Sequence, residues 1–283
     1  MEIPSGQVTA FLGPNGAGKT TTIKLLLGLQ TQNCGEITVL GKNSKTLTPE
    51  VFQKVAYVSE NQKLPLWMTV KQFLDYCRPF YPKWDRELEK DLLAQFDLDV
   101  AQKLKHLSRG QLMKASLLSN LAYRPELVVL DEPFSGIDAL VRDEFIRGLL
   151  ACTEQEGWTV FISSHDIEEV ERLTDNVAII HNGSLQLNES TESLLERFRR
   201  VELAVKEDVE LPKNLPIEWM DPTINGRILR FTHTRWNEGE SPKEIDSLLG
   251  EIATATAVPS RLTLRDIFVE LAKSFRMNLN PTA

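Results

Sequence analysis

An α/β fold built on a mostly parallel sheet is predicted by three stretches of the sequence. "GQVTAFL" runs into "GPNGAGKT" and then "KTTTIKLLLGL", the order strand, glycine-rich turn, helix, with Ile23, Leu26 and Leu27 at helical spacing. "ELVVLDE" and "WTVFISSH" are nearly continuous apolar runs ending in polar residues, the pattern of strands covered on both faces. Long crossovers between such strands imply parallel pairing.

The elements follow in chain order. After the first helix, "GEITVLGKN" and "VAYVSE" read as short strands. From about 69 to 122 the chain turns helical: Thr69 can cap "VKQFLDYC", and "WDRELEKDLLAQF" sets Leu88, Leu92, Leu93 and Phe96 on one face. "VAIIHNGSLQL" reads as a hairpin turning at Asn182 and Gly183, and "TESLLERFRR" as a helix. A first domain over 1–198 and a small α+β domain over 199–283 are predicted. In the second, "VELAV", "RILRFT" and "TATAV" are strand-like. "PKEIDSLLGEI" and "TLRDIFVELAKSF" are helical, the latter with a stripe of Leu264, Ile267, Phe268, Leu271 and Phe275. Arg197, Arg199 and Arg200 read as a solvated helix end.

Composition narrows the function. A net charge of −8 argues against a partner held through a general basic surface, and no nucleic-acid partner is expected. Cys34, Cys77 and Cys152 are an odd, widely spaced set without a CxxC pair, so they read as small core residues. No segment approaches the ~18 to 20 consecutive apolar residues that span a bilayer. His181 and His233 stand isolated and read as structural or surface residues.

Two constellations carry chemistry. Gly13, Pro14, Asn15, Gly16, Ala17, Gly18, Lys19 and Thr20 satisfy the phosphate-loop pattern, with Thr21 following. Glycines let the backbone wrap so that successive N–H groups face phosphate oxygens at a helix N-terminus. Lys19 suits the β- and γ-phosphates of a nucleotide, and Thr20 suits Mg²⁺. In "VVLDE", Asp131 is placed at a strand end to hold Mg²⁺ through water, and Glu132 to orient or deprotonate an attacking water. Paired acids here point to hydrolysis as well as binding.

Ahead of those acids stands "HLSRGQLMK", which resembles the LSGGQ signature of ATP-binding cassette (ABC) ATPases. With "LDEP", "SGID" and "SSHD" it repeats that family's motif order, over residues 1 to about 198. The resemblance implies a P-loop NTPase of ABC ATPase type with a helical insertion subdomain. It further implies that Ser108, Gly110 and Gln111 contact the γ-phosphate held by an opposite cassette in a homodimer or heterodimer. Asp138 would lie at the contact between cassettes, and His165 would sense the γ-phosphate.

Two positions depart from the family pattern. Glu60 stands where the family usually carries a glutamine, with Gln62 the nearest substitute; a carboxylate beside phosphates repels them unless Mg²⁺ or a proton intervenes, so Glu60 joins Thr20 and Asp131 as a metal candidate. Arg109 replaces a signature glycine: either a tolerated exposed variant or a partner for phosphate or an acid. The family also carries further strands before the loop, one with an adenine-stacking aromatic. Phe11, the only aromatic before the loop, is expected to face the core. A misassigned start, a shortened subunit and a base contact from a partner are three readings, the first preferred.

"YPKWD" and its surroundings resemble bacterial export-type ABC ATPases whose permease is a separate chain. Leu66, Trp67, Phe80, Tyr81 and Trp84 are then either aromatic and aliphatic anchors for a permease helix or the insertion's own core. A cassette peripheral to the cytoplasmic face of a membrane follows from this resemblance. The alternatives are an ABC ATPase not coupled to transport, or a regulatory nucleotide-binding module that does not hydrolyse.

Overall fold

The computed structural model describes residues 1–277 apart from Asn61 and Lys213; the side chains of Cys152, Glu154, Gln155, Phe275, Arg276 and Met277 lie outside the description. The expected place of Cys152 in the core and of Phe275 in the apolar stripe fall on these. The chain divides into two compact units, 1–188 and 189–283. That division precedes the expected boundary at 198, because the helix Thr191–Arg197 packs on the last helix of the second unit.

Unit 1 is organised by β1 (Val8–Leu12), β2 (Thr38–Val39), β3 (Lys42–Asn43), β4 (Val55–Ser59), β5 (Leu127–Asp131), β6 (Thr159–Ser164), β7 (Asn176–His181) and β8 (Ser184–Ser190). Its main sheet has the order β4-β5-β6-β1-β7-β8, parallel from β4 to β7. Strands β1, β5 and β6 are buried along their whole length, which is why they read as continuous apolar runs. Phe11 is indeed internal, 5.2 Å from Phe161 between ring centroids. The expected strand at "GEITVLGKN" is instead a two-residue hairpin of β2 and β3, because Leu40 and Gly41 take positive φ and turn the chain.

The helices of unit 1 are α1 (Lys19–Leu26), α2 (Pro49–Phe52), α3 (Val70–Cys77), α4 (Arg86–Gln95), α5 (Arg109–Leu121) and α6 (Ala139–Glu156). α3 to α5 fall within the stretch from about 69 to 122 that reads as helical. Thr69 and Gln72 cap α3 reciprocally, satisfying two N–H groups at its start. Leu92 and Phe96 of the α4 stripe are fully buried, whereas Leu88 and Leu93 are half-buried. The cysteines divide: Cys34 is exposed, a correction, while Cys77 is half-buried and burial pushes its thiol up to about 11.

Unit 2 carries an antiparallel sheet of β9 (Arg199–Ala204), β10 (Trp219–Asn225), β11 (Ile228–His233) and β12 (Val258–Arg261), in the order β10-β11-β9-β12. Helices α7 (Thr191–Arg197), α8 (Ser241–Leu249) and α9 (Leu264–Met277) complete it. Trp219 stacks on Phe231 at 4.3 Å in a core shared with Val201, Leu203, Leu229, Ile245 and Leu249. Arg197 is no solvated end: it grips both carboxylate oxygens of Glu189 and the Thr234 carbonyl at 2.5 Å. His233 is buried, and burial lowers its pKa.

Candidate nucleotide site and its neighbours

The sheet order places three strand ends side by side. β5, β6 and β1 are consecutive neighbours, so the acids at the end of β5, the polar run ending β6 and the loop after β1 meet at one edge. This is the crevice beyond the carboxyl ends of parallel strands, where open α/β sheets bind ligands.

The loop is shaped for close approach. Gly16 and Gly18 take φ of 79° and 111°, and nothing stands within 4 Å of where a Cβ on Gly16 would lie. A Cβ on Gly13 would come within 2.4 Å of the Ile180 carbonyl oxygen, so the loop's first residue is pressed against β7. The Gly183 N–H donates to the Ala17 carbonyl at 2.9 Å, tying the β7–β8 turn to the loop. Pro14, Asn15 and Gly16 are exposed, as are Thr20 and Thr21, while Lys19 is 5% exposed.

Lys19 folds back into the loop, its Nζ donating to the Gly13 carbonyl at 2.6 Å and the Pro14 carbonyl at 3.2 Å. Its charge also lies 3.0 Å from Glu132 Oε1, a contact without hydrogen-bond alignment, since that oxygen has no such partner. A buried cation beside a buried acceptor with capacity to spare is a site prepared for further polar groups.

Asp131 is 4% exposed and accepts from Thr20 Oγ1 at 3.2 Å and Ser163 Oγ at 2.7 Å, both on Oδ1. Ser163 also takes the Glu132 N–H on its hydroxyl at 3.0 Å. Sequence reasoning quoted this serine within "SSHD" without assigning it a part; it orients both acids. Glu132 adopts φ of 51°, uncommon for a residue with a side chain and typical of functional positions. The far end of Glu132 meets His165 Nδ1 at 2.8 Å. That bond, and then the carboxylate's charge, raise the His165 pKa, against an opposing effect of burial.

Glu169, also outside the expectations, is 8% exposed and accepts from Ser164 Oγ; burial raises its pKa. One atom from each of Glu132, His165 and Glu169 falls within 4.8 Å of the others.

The signature residues form a separate arrangement. Ser108 Oγ accepts from the Gln111 N–H at 3.2 Å, and Gln111 Oε1 accepts from the Ser108 N–H at 3.0 Å. Both side chains thus cap α5, and among the described hydrogen bonds none joins them to the phosphate loop. Gly110 is buried where a Cβ would meet Val141 Cγ1 at 2.4 Å. Asp138 caps α6, accepting from Leu140 and Val141 N–H at 3.1 Å.

Glu60 does not turn toward Thr20 and Asp131. Its Oε1 accepts from Arg109 Nη2 at 2.6 Å and Ser135 Oγ at 2.9 Å, so the two departures from the expected pattern answer each other. Gln62 accepts from Ser116 Oγ at 2.8 Å, which directs it to α5. A groove of about 470 Å³ runs past Glu60, Arg109, Leu64, Leu66, Leu112 and Met113. Leu66, Trp67 and Phe80 are exposed, whereas Tyr81 stacks on the buried Tyr123 at 3.8 Å and Trp84 Nε1 donates to Glu89 at 2.6 Å. The anchor set therefore divides, its last two members serving the insertion's core.

Comparison with known proteins agrees with this geometry. The family model described as ABC transporter matches residues 1–135. An ABC transporter ATP-binding protein of Synechocystis, sll0415, is 34% identical over 213 residues, 73% of this chain; the chain spans 59% of that relative's length. YhaQ of Bacillus subtilis, likewise named an ABC transporter ATP-binding protein, is 31% identical over 279 residues, covering 95% of this chain and 91% of its own. Among solved structures, an ATP-binding subunit of an ABC transporter aligns with a TM-score of 0.62 and 26% identity, covering 69% of this chain and 83% of its own. Among the described residues no helix is long and apolar enough to cross a membrane. With its phosphate loop, paired acids and parallel sheet, the chain belongs to the ABC transporter ATP-binding family, whose cassettes bind and hydrolyse ATP.

Proposed function

We propose that this chain is the ATP-hydrolysing subunit of an exporter, driving a separately encoded permease from the cytoplasmic face through closure of two cassettes on ATP. The observation that carries the reading is the convergence of Lys19, Glu132 and His165 beside the Thr20–Asp131 pair. The residues fit ATP with Mg²⁺. The loop is open where a polyphosphate would lie, and a hydroxyl beside a carboxylate is the hard oxygen set that Mg²⁺ prefers. Thr20 and Asp131 would hold the metal, which supplies charge neutralisation on the phosphates. Gly16, Gly18 and Lys19 would hold the nucleotide.

The chain's own residues supply the remainder. Glu132, held at one oxygen by His165 and lying against Lys19 at the other, is positioned to accept a proton from water. Ser163 keeps that acid beside Asp131. Ser108 and Gly110 stand at the start of α5, whose N-terminal N–H groups suit a phosphate offered by a second cassette. Leu66, Leu112 and Met113 along the groove support reception of a permease segment there.

Glu132→Gln is the test: it should retain ATP binding, trap a nucleotide-bound dimer and lower turnover by on the order of 10² or more. Undiminished turnover would reject Glu132 as the base. Copurification with a polytopic membrane partner tests the transport reading separately, and absence of any such association would reject it.

A further inference from the structure

Three separate segments of unit 1 meet at one carboxylate oxygen. Glu60 follows β4, Arg109 is the first residue of α5, and Ser135 lies in the loop after Glu132. Glu60 Oε1 takes the guanidinium at 2.6 Å and the hydroxyl at 2.9 Å. The Glu60 backbone N–H donates to the Asp131 carbonyl at 3.0 Å, and the Ser135 N–H to the Glu132 carbonyl at 3.3 Å. From Arg109, an unbroken line of polar contacts therefore reaches the backbone of both acids.

The surroundings are shaped for this arginine. Gly136 takes φ of +67°, and a Cβ there would stand 2.5 Å from Arg109 Nη1. The missing side chain at 136 is the space the guanidinium occupies. Arg109 and Glu60 also both line the groove.

We propose that Arg109 is a positioning residue, fastening the start of α5 to Glu60 and Ser135 so that the loop carrying Glu132 is fixed against the insertion. It rests on the hydrolytic reading above for its consequence in turnover, and on geometry alone for the clamp. An isolated pair with Arg109 half exposed would contribute little. Here one carboxylate oxygen is shared by two side-chain donors from different segments, which gives the pair a positioning effect beyond its energy.

The experiment is a double-mutant cycle of Arg109→Gly and Glu60→Gln on the full chain, with the charge swap Arg109→Glu with Glu60→Arg as rescue. Two readouts are taken: hydrogen exchange over 59–66 and 133–138, and kcat and KM for ATP. Each single variant should accelerate exchange in both segments by roughly two- to fivefold, the range expected from breaking an exposed pair. Turnover should fall by kcat with KM held, the double variant should match the singles, and the swap should recover at least half of the loss.

Unchanged exchange in the single variants, or effects that add in the double, would overturn the clamp. If the unmodified protein hydrolyses no ATP, the functional reading fails while the exchange cycle still decides the clamp.

Discussion

Ser163→Ala should loosen unit 1 far more than its loss of one oxygen suggests. The hydroxyl is fully buried, donates to Asp131 Oδ1 at 2.7 Å and accepts from the Glu132 N–H at 3.0 Å. Glu132 N–H retains the Ser163 carbonyl at 3.2 Å, so the greater part of the cost falls on Asp131. That carboxylate, 4% exposed, is left with Thr20 at 3.2 Å as its remaining described hydroxyl donor. A hydrogen bond to a charged group contributes ~1.5–3 kcal/mol. Amides of β5 and β6 that exchange by unfolding should then exchange about 10 to 150 times faster, at a factor of ten per ~1.4 kcal/mol. Thr9→Val supplies the contrast, since Thr9 is equally buried in neighbouring β1 but its hydroxyl has no hydrogen-bond partner. Removing an unpartnered buried hydroxyl at constant shape should be neutral or stabilising. Native-state hydrogen exchange on both variants is the assay. Equal effects, or less than threefold acceleration in Ser163→Ala, would refute the account of how the acids are held.

Two further outcomes follow from the site. Gly13→Ala puts a methyl 2.4 Å from a β7 carbonyl oxygen, with backbone and not a flexible side chain in its way. It should lower stability by ~1–3 kcal/mol, as overpacking does, and weaken nucleotide binding at least about tenfold, read by thermal unfolding and nucleotide titration. For His165, a pKa raised above its ordinary 6.5 by Glu132 means stabilisation fully present below 6.5 and lost as pH rises through the raised value. The pH-dependent part of the stability difference between the unmodified protein and His165→Ala should therefore be present just below pH 6.5, while Glu132 is ionised, and be lost as pH rises through the raised value; a difference that grows with pH in that window would contradict the assignment.

What the sequence disclosed was governed by how local the causes are. The phosphate loop, the strand-end acids and the Thr69 cap are each legible within a few residues, because glycine φ, strand burial and capping are short-range effects. Pairing across distance was not legible. Arg109 and Glu60 are 49 positions apart, and nothing near either announces the other. Ser163 is an ordinary strand serine until β5 is laid beside β6. Gln111 and Asp138 were assigned to contacts between cassettes by resemblance, while within the chain their side chains cap helices, as local chemistry alone would have proposed. β10 escaped notice because Pro222 interrupts it and Asp221 takes φ of 50°, producing a register shift between Met220 and Thr223.

The position of β1 sets a schedule for making the protein. Val8 pairs with Val160, and Thr9 with Asn176, so the strand that carries the phosphate loop lies between the last two parallel strands to be synthesised. On a ribosome adding about 5–20 residues per second, the roughly 150 residues between β1 and β6 take on the order of 8 to 30 seconds. Throughout that interval neither of the strands that flank β1 has been made. The nascent chain must keep "VTAFL" from other partners until β6 emerges, so the earliest residues of the nucleotide site wait for some of its latest.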